Sequence, residues 1–373
     1  YYHANNESRQ GPSSNGFGPD FDFANDAFPD YPNQSNFDFP NRNAAIFGEN
    51  ILFINDKLSV TPGFRFEYIK TQSQGNYRRV GYDLAGNEIS RLDTTDNREF
   101  KRNLLLFGLG ASYNYSDRVE IYANASQNYR SVTFSDIRVV NPTFIVDPAI
   151  TDEKGFTSDL GLRGKWNKLF SYDISAFALR YNDRIGTILV ESGPDKGDRV
   201  RKNIGDAVIY GFEAFIDWNL INTFGLDFSK YRLNVFLNTA FTDSQYTSSD
   251  ENNVIGKKVE FIPQVNLKTG LKFGYKNMLG NIQFMYLSEQ FSDAENSPIA
   301  LPGDSREGVI GPIPAYSVLD LSLSYRFKFM KLETGVNNLL DEAYFTRRAT
   351  GYPGPGIIPA EPRTYYVTLE VKL

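Results

Sequence analysis

The strongest constraint in this sequence is a series of long segments in which apolar and polar residues alternate one by one. Between Val318 and Phe329, Leu319, Leu321, Leu323, Tyr325, Phe327 and Phe329 hold one parity, and Asp320, Ser322, Ser324, Arg326 and Lys328 hold the other. A period of two sends successive side chains to opposite faces of a β-strand, so one face is apolar and the other polar. Near the C-terminus, Tyr365, Val367, Leu369 and Val371 oppose Thr364, Tyr366, Thr368, Glu370 and Lys372. The run Val208, Tyr210, Phe212, Ala214, Ile216 and Trp218 opposes Glu213 and Asp217, and Leu105, Phe107, Leu109, Ala111, Tyr113 and Tyr115 oppose small residues such as Gly108, Gly110 and Ser112. The 30 Phe and 23 Tyr among 373 residues fit this reading, because aromatic side chains favour the half-buried surface of a sheet.

The alternation predicts about thirteen strands, over 42–54, 58–70, 100–115, 119–129, 155–166, 170–183, 206–218, 230–246, 259–275, 280–291, 315–328, 331–340 and 363–373. Many are about twice the length of an ordinary globular strand. Their connections alternate too. Short ones lie at 55–57, 116–118, 167–168, 276–279 and 329–330, with a longer one at 219–229. Long ones lie at 71–99, 130–154, 184–205, 247–258, 292–314 and 341–362. Tight turns on one rim and long loops on the other are the rhythm of an antiparallel transmembrane β-barrel. A soluble sandwich or propeller has shorter strands and no such rhythm. No stretch approaches 18 consecutive apolar residues, which excludes a transmembrane helix and leaves a barrel untouched. Residues 1–41 read as an extracellular loop and 42–373 as barrel. Bacterial single-chain barrels have even strand numbers, so an odd count predicts partner strands upstream or a strand missed within 1–41.

Composition removes several chemistries. There is no Cys and a single His, His3, so thiol catalysis, Cys-ligated metals and multi-His metal sites are out and a Ser–His–Asp triad has little to draw on. No Gly-x-x-x-x-Gly-Lys phosphate loop occurs. The net charge is -6 with no basic block, which argues against nucleic acid. No enzyme is expected. The spacing in Asp20-Phe21-Asp22-Phe23 and Asn36-Phe37-Asp38-Phe39 does not fit a calcium loop. Tyr113, Tyr115 and Trp218, near short turns, read as an interfacial aromatic girdle.

Gly335-Val336-Asn337-Asn338-Leu339-Leu340-Asp341-Glu342-Ala343-Tyr344 resembles the "GxxNLFDxxY" element that precedes the last strand of TonB-dependent outer-membrane receptors. Pro362-Arg363-Thr364-Tyr365-Tyr366 resembles the family's approach to the closing strand. The Gly/Pro-rich stretch from Tyr344 to Pro359 is similar to the last extracellular loop of the ferric-citrate-receptor-like branch, as are Ser126 to Arg130, Phe134 to Arg138, and Asp152-Glu153-Lys154-Gly155. The resemblance implies the C-terminal part of a barrel of about 22 strands that encloses a plug, with plug and TonB box outside this chain.

It further implies a receptor in the outer membrane of a Gram-negative bacterium. Such a receptor binds a ferric chelate (ferric citrate or a siderophore) and imports it with energy from the TonB–ExbB–ExbD complex. A passive porin-like barrel, or a receptor of the same fold for cobalamin or glycan, is the alternative. The expected partners are the chelate, that complex and outer-membrane lipid. No cofactor is expected, iron entering only as chelated substrate. Arginine suits an anionic chelate, because its planar fork pairs carboxylates two bonds at a time. The candidates are Arg347, Arg348, Arg130, Arg138, Arg78 and Arg79, with Tyr129 and Tyr352 to pack beside the ligand.

Overall fold

The computed structural model describes residues 1–10, 35–83, 85–137, 144–190, 199–225, 230–251, 253–299, 308–349 and 356–372. Fourteen antiparallel strands follow one another in sequence order around a single sheet. They are β1 (Tyr2–Gln10), β2 (Ser35–Glu49), β3 (Leu58–Tyr82), β4 (Glu88–Ser116), β5 (Val119–Arg130), β6 (Glu153–Trp166) and β7 (Phe170–Leu189). The remainder are β8 (Arg199–Asn219), β9 (Tyr231–Ser249), β10 (Val265–Tyr275), β11 (Met278–Leu287), β12 (Tyr316–Phe327), β13 (Met330–Asn337) and β14 (Thr364–Val371). Among the described residues β1 and β14 do not pair with each other.

The first strand, β1, is the one that alternation missed. Tyr2–Gln10 pairs with Asn43 back to Ser35, so the segment read as loop over 1–41 holds a strand and the start of β2. Its sequence, Tyr-His-Ala-Asn-Asn-Glu-Ser-Arg-Gln, is polar on both faces and carries no period-two signal; the backbone ladder holds it. Asp20 to Phe23 lies outside the described residues. The same blindness shortened β3 and β4. The region 71–99, read as a long loop, is a two-stranded extension running to Tyr82 and back from Glu88. Conversely, 259–264 is not strand: β10 starts at Val265. Pro263 cannot donate to a ladder, and Val259 and Glu260 turn inward and are buried.

The pleat sorts the wall into two faces. Phe64, Phe66, Leu105, Phe107, Leu109, Leu160, Tyr210 and Phe212 point outward and are exposed. Cross-strand pairs Phe66–Leu105 and Phe64–Phe107 keep that face in register. The opposite parity carries Arg65, Glu67, Asp159, Asp173, Asp217 and Lys272 on the inner face. At the short-turn rim Tyr113, Tyr115, Trp166, Trp218, Tyr231, Tyr275 and Phe327 are exposed in a row, a girdle at the height where aromatic rings prefer a membrane interface.

Inside the wall, aromatic rings lie across glycines of the next strand. Tyr122 sits opposite Gly161 and donates over it to Asp173 on β7, 2.7 Å away. A Cβ at Gly161 would lie 2.2 Å from Tyr122 Cζ. Gly161→Ala is therefore expected to break the Tyr122–Asp173 bond and cost about 1–3 kcal/mol through overpacking. A lowered unfolding temperature by heat-modified gel mobility is the check; an unchanged transition would contradict this packing.

Candidate functional site

The rim opposite the short turns is the mouth. Residues 131–137 and 144–152 do not stand above it; they turn onto the inner face. The local organiser is Thr133-Phe134-Ser135-Asp136, which forms the return half of a capping box. The Asp136 carboxylate accepts from the Thr133 N–H at 2.8 Å and from its hydroxyl at 2.7 Å, which starts a single helical turn, Phe134–Ile137. That turn presents apolar side chains downward. Val132, Ile137, Val146 and Ile150 bury against Ile185, with Tyr77 and Phe100 alongside. Phe134 packs on Phe39 with ring centres 4.7 Å apart, and Phe39 on Phe37 at 5.9 Å. Phe144–Val146 adds as a short parallel strand to Arg199–Arg201 of β8.

A buried ionic network pins this segment. Asp136 accepts from Arg130 at 2.8 Å and from Arg201 at 2.7 Å. Burial raises its carboxyl pKa, but the bonds from Thr133, Arg130 and Arg201 more than offset this and hold it at about 2. Arg130 also reaches Glu153 at 3.0 Å, and the same Glu153 oxygen accepts the Ile185 N–H at 2.9 Å. Asp152 accepts the Val132 N–H at 2.8 Å and Arg102 at 2.5 Å. The two ends of the loop are thus stapled to β4, β5, β7 and β8.

A second inward segment lies beside it. Val254, Val259 and Ala294 pack on Ile204, Ala207, Ile209 and Tyr246. Glu260 enters this apolar cluster with two partners. It accepts from the Tyr246 hydroxyl at 2.7 Å and from Arg184 at 3.3 Å. Burial, then the Glu260 charge, push the Tyr246 phenol well above its ordinary value. Burial opposes the Arg184 charge, and Glu260 more than restores it.

The family-like element after β13 is a corner. Asn338, 2% exposed, adopts a left-handed conformation with φ 51. Its amide donates to the Glu342 and Glu361 carbonyls, and its side-chain oxygen accepts the Glu342 N–H. Asp341 caps the Arg363 N–H at 3.0 Å. Beyond the corner, Phe345–Ala349 and Gly356–Pro359 pair as a separate hairpin. Arg348 ties that hairpin to the preceding loop, donating to the Pro312 carbonyl at 2.8 and 3.0 Å and to the Gly308 carbonyl at 3.0 Å. Its guanidinium also covers the Phe345 ring, and burial lowers its pKa.

The predicted site residues fall into three groups. Arg347 lies on the mouth hairpin, exposed, and its side chain makes no hydrogen bond or ion pair to a described residue. Arg348, Arg130 and Arg78 are engaged in the fold: Arg348 on carbonyls, Arg130 on Asp136 and Glu153, and Arg78 on Asp93 at 2.6 Å across the β3–β4 extension. Tyr129 is half-buried and faces Glu67 on the inner wall. Arg79 pairs with Leu92 through its backbone, its side chain lying outside the described residues, as do Arg138 and Tyr352. Sequence reasoning missed Arg102, Asp136, Asp152, Glu153, Arg184, Arg201 and Glu260. The Thr133-x-x-Asp136 spacing was a legible signal for one of them; the rest meet only through the strand order.

A family model described as "TonB dependent receptor-like, beta-barrel" matches residues 1–339. Among solved structures, the ferric yersiniabactin uptake receptor FyuA from Yersinia pestis superposes with a TM-score of 0.66 at 17% identity, over 94% of this chain and 48% of that one. The copper transporter OprC gives 0.67 at 18% identity, over 99% and 53%. The ferric citrate transporter FecA in its unliganded form gives 0.63 at 18%, over 91% and 55%. The chain spans about half the length of these neighbours, and at such identities the likeness is one of fold. The family match, over almost the whole wall, establishes that this chain belongs to the TonB-dependent receptors and carries their β-barrel fold.

Proposed function

We propose that this chain forms wall and mouth of a Gram-negative outer-membrane receptor that binds a ferric chelate, ferric citrate or a siderophore, and imports it into the periplasm. The outward apolar face and the aromatic row support the membrane setting. The observation that carries the ligand reading is Arg347: a guanidinium unengaged among the described residues, displayed on a hairpin that its neighbour Arg348 braces. A braced donor loses little entropy on meeting a carboxylate, and a free fork offers the paired bonds an anionic chelate needs. Inward packing of 131–137, 144–152 and 253–263 covers part of the inner face, which favours a gated receptor over a passive pore. Ferric-chelate and ferric-citrate proteins among the structural neighbours point the same way. Import would draw on TonB–ExbB–ExbD through the plug that such barrels enclose. Cobalamin and glycan remain the competing cargoes on this scaffold.

The test is titration of the full-length receptor with ferric citrate, followed by fluorescence. Arg347→Ala is expected to weaken binding about tenfold or more, the equivalent of one hydrogen bond to a charged group, without changing the unfolding temperature. Arg348→Ala is expected to free the hairpin, read as new proteolytic cleavage between 345 and 359. Unchanged affinity in both variants would remove the site, and tighter binding of cobalamin than of ferric citrate would replace the cargo.

A further inference from the structure

Each of the six connections on the short-turn rim carries a basic residue: Lys57, Arg118, Lys168, Lys230, Lys276 and Lys328. Three of the turns, at 167–169, 276–277 and 328–329, contain no acidic residue. Lys168, Lys230, Lys276 and Lys328 form no ion pair with a described residue. The turns are laced together. The Lys276 N–H donates to the Lys230 carbonyl at 2.8 Å, Arg326 N–H to Asn277 at 3.1 Å and Lys372 N–H to Phe329 at 2.9 Å. The positive charges therefore form one edge and not scattered tips.

Two of these lysines are held at conformational expense. Lys276 and Lys328 each take the first central position of a two-residue hairpin turn, with φ 51 and 50. That left-handed position is ordinarily given to glycine, because a Cβ there meets backbone atoms. The same arrangement occurs twice, and in both the ammonium lies over the ring of the preceding aromatic: Lys276 over Tyr275 at 5.1 Å and Lys328 over Phe327 at 5.4 Å. Tyr231 and Tyr275 pack beside them, tilted against each other, with ring centres 4.7 Å apart, both exposed on the outward face. An unpaired ammonium next to an exposed ring at a membrane interface matches a lipid, whose glycerol backbone meets the ring while its phosphate meets the charge.

The geometry points to this rim, from Lys230 to Lys328, as a binding site for anionic phospholipid headgroups of the phosphatidylglycerol class, in the leaflet that faces the short turns. The inference rests on the membrane placement of the wall and not on the identity of the chelate.

The test is native mass spectrometry of the full-length receptor in neutral detergent, with phosphatidylglycerol or phosphatidylcholine added. The unmodified protein is expected to retain phosphatidylglycerol preferentially. Lys230→Gln/Lys276→Gln/Lys328→Gln is expected to lose that affinity about fivefold for each lysine removed, with ferric-citrate binding unchanged. Lys70→Gln/Lys101→Gln, at two lysines engaged by Glu99 on the mouth side of the wall, is expected to retain the lipid. Lys276→Gly/Lys328→Gly separates structure from binding: it suits the left-handed positions better and is expected to unfold at a higher temperature while losing the lipid. Equal retention of the two lipids by the unmodified protein overturns the proposal. So does wild-type retention in the triple or the glycine variant, or equal loss in the Lys70/Lys101 control. Wild-type lipid retention with lost adsorption to isolated peptidoglycan would assign the rim to the cell wall instead.

Discussion

Asp136→Ala is expected to release residues 131–137 and 144–152 from the inner face of the mouth. The carboxylate is buried, and it joins Arg130, Arg201 and the Thr133 cap in one cluster. Its removal leaves two guanidinium groups short of their shared partner. Breaking a buried pair in this way costs about 3–5 kcal/mol, and about 3 is expected here because both arginines keep some access to water. Hydrogen exchange of the full-length receptor should show protection lost across 132–137 and 144–150 while the strands below stay protected. The pH dependence has a definite sign. The carboxyl titrates at about 2 in the fold against 3.8 when free. Its contribution is therefore complete above pH 3.8 and fades as pH falls toward 2. Neutral and mildly acidic conditions leave the segment docked. Undocking between pH 7 and pH 5 would mean that another group holds it.

Glu260→Ala is expected to have a comparable effect on the second inward segment. Arg184 would lose its carboxylate inside an apolar cluster, and Tyr246, only 1% exposed, would lose its acceptor. An uncompensated buried charge costs about 3–5 kcal/mol. Glu260→Gln keeps an acceptor for the tyrosine and should recover part of that loss, leaving the missing charge as the difference. The measurement is the unfolding temperature of the two variants beside the unmodified protein. Equal values for all three would show that the cluster is held by Val254, Val259 and Ile204 alone. Neither variant touches the outward face, so both should still insert into membranes.

The wall was legible because its determinant is local. Alternation along β12 or β14 follows from the pleat itself, and a face that must meet lipid imposes it on every strand crossing the band. The short turns were legible for the same reason. Strand segments outside that band have no such pressure: β1 and the upper β3–β4 pair are polar on both sides and are held by ladder bonds and pairs such as Arg78–Asp93, so they read as loop. The mouth was legible only in part. Arg347 and Arg348 are adjacent and alike in sequence, yet one is displayed and the other spent on the Pro312 and Gly308 carbonyls, because a period of two sends neighbours to opposite faces and only the tertiary fold puts the 308–313 segment under one of them.

By itself, then, the sequence determined an antiparallel membrane-crossing wall, its two faces, its rhythm of short and long connections, and the family element from Gly335 to Tyr344. Tertiary structure decided which charges are free. Asp136 and Arg201 are 65 residues apart, and Arg184 and Glu260 are 76. No local period encodes such pairs, because they are created by strand order and by loops that turn inward to bury apolar side chains.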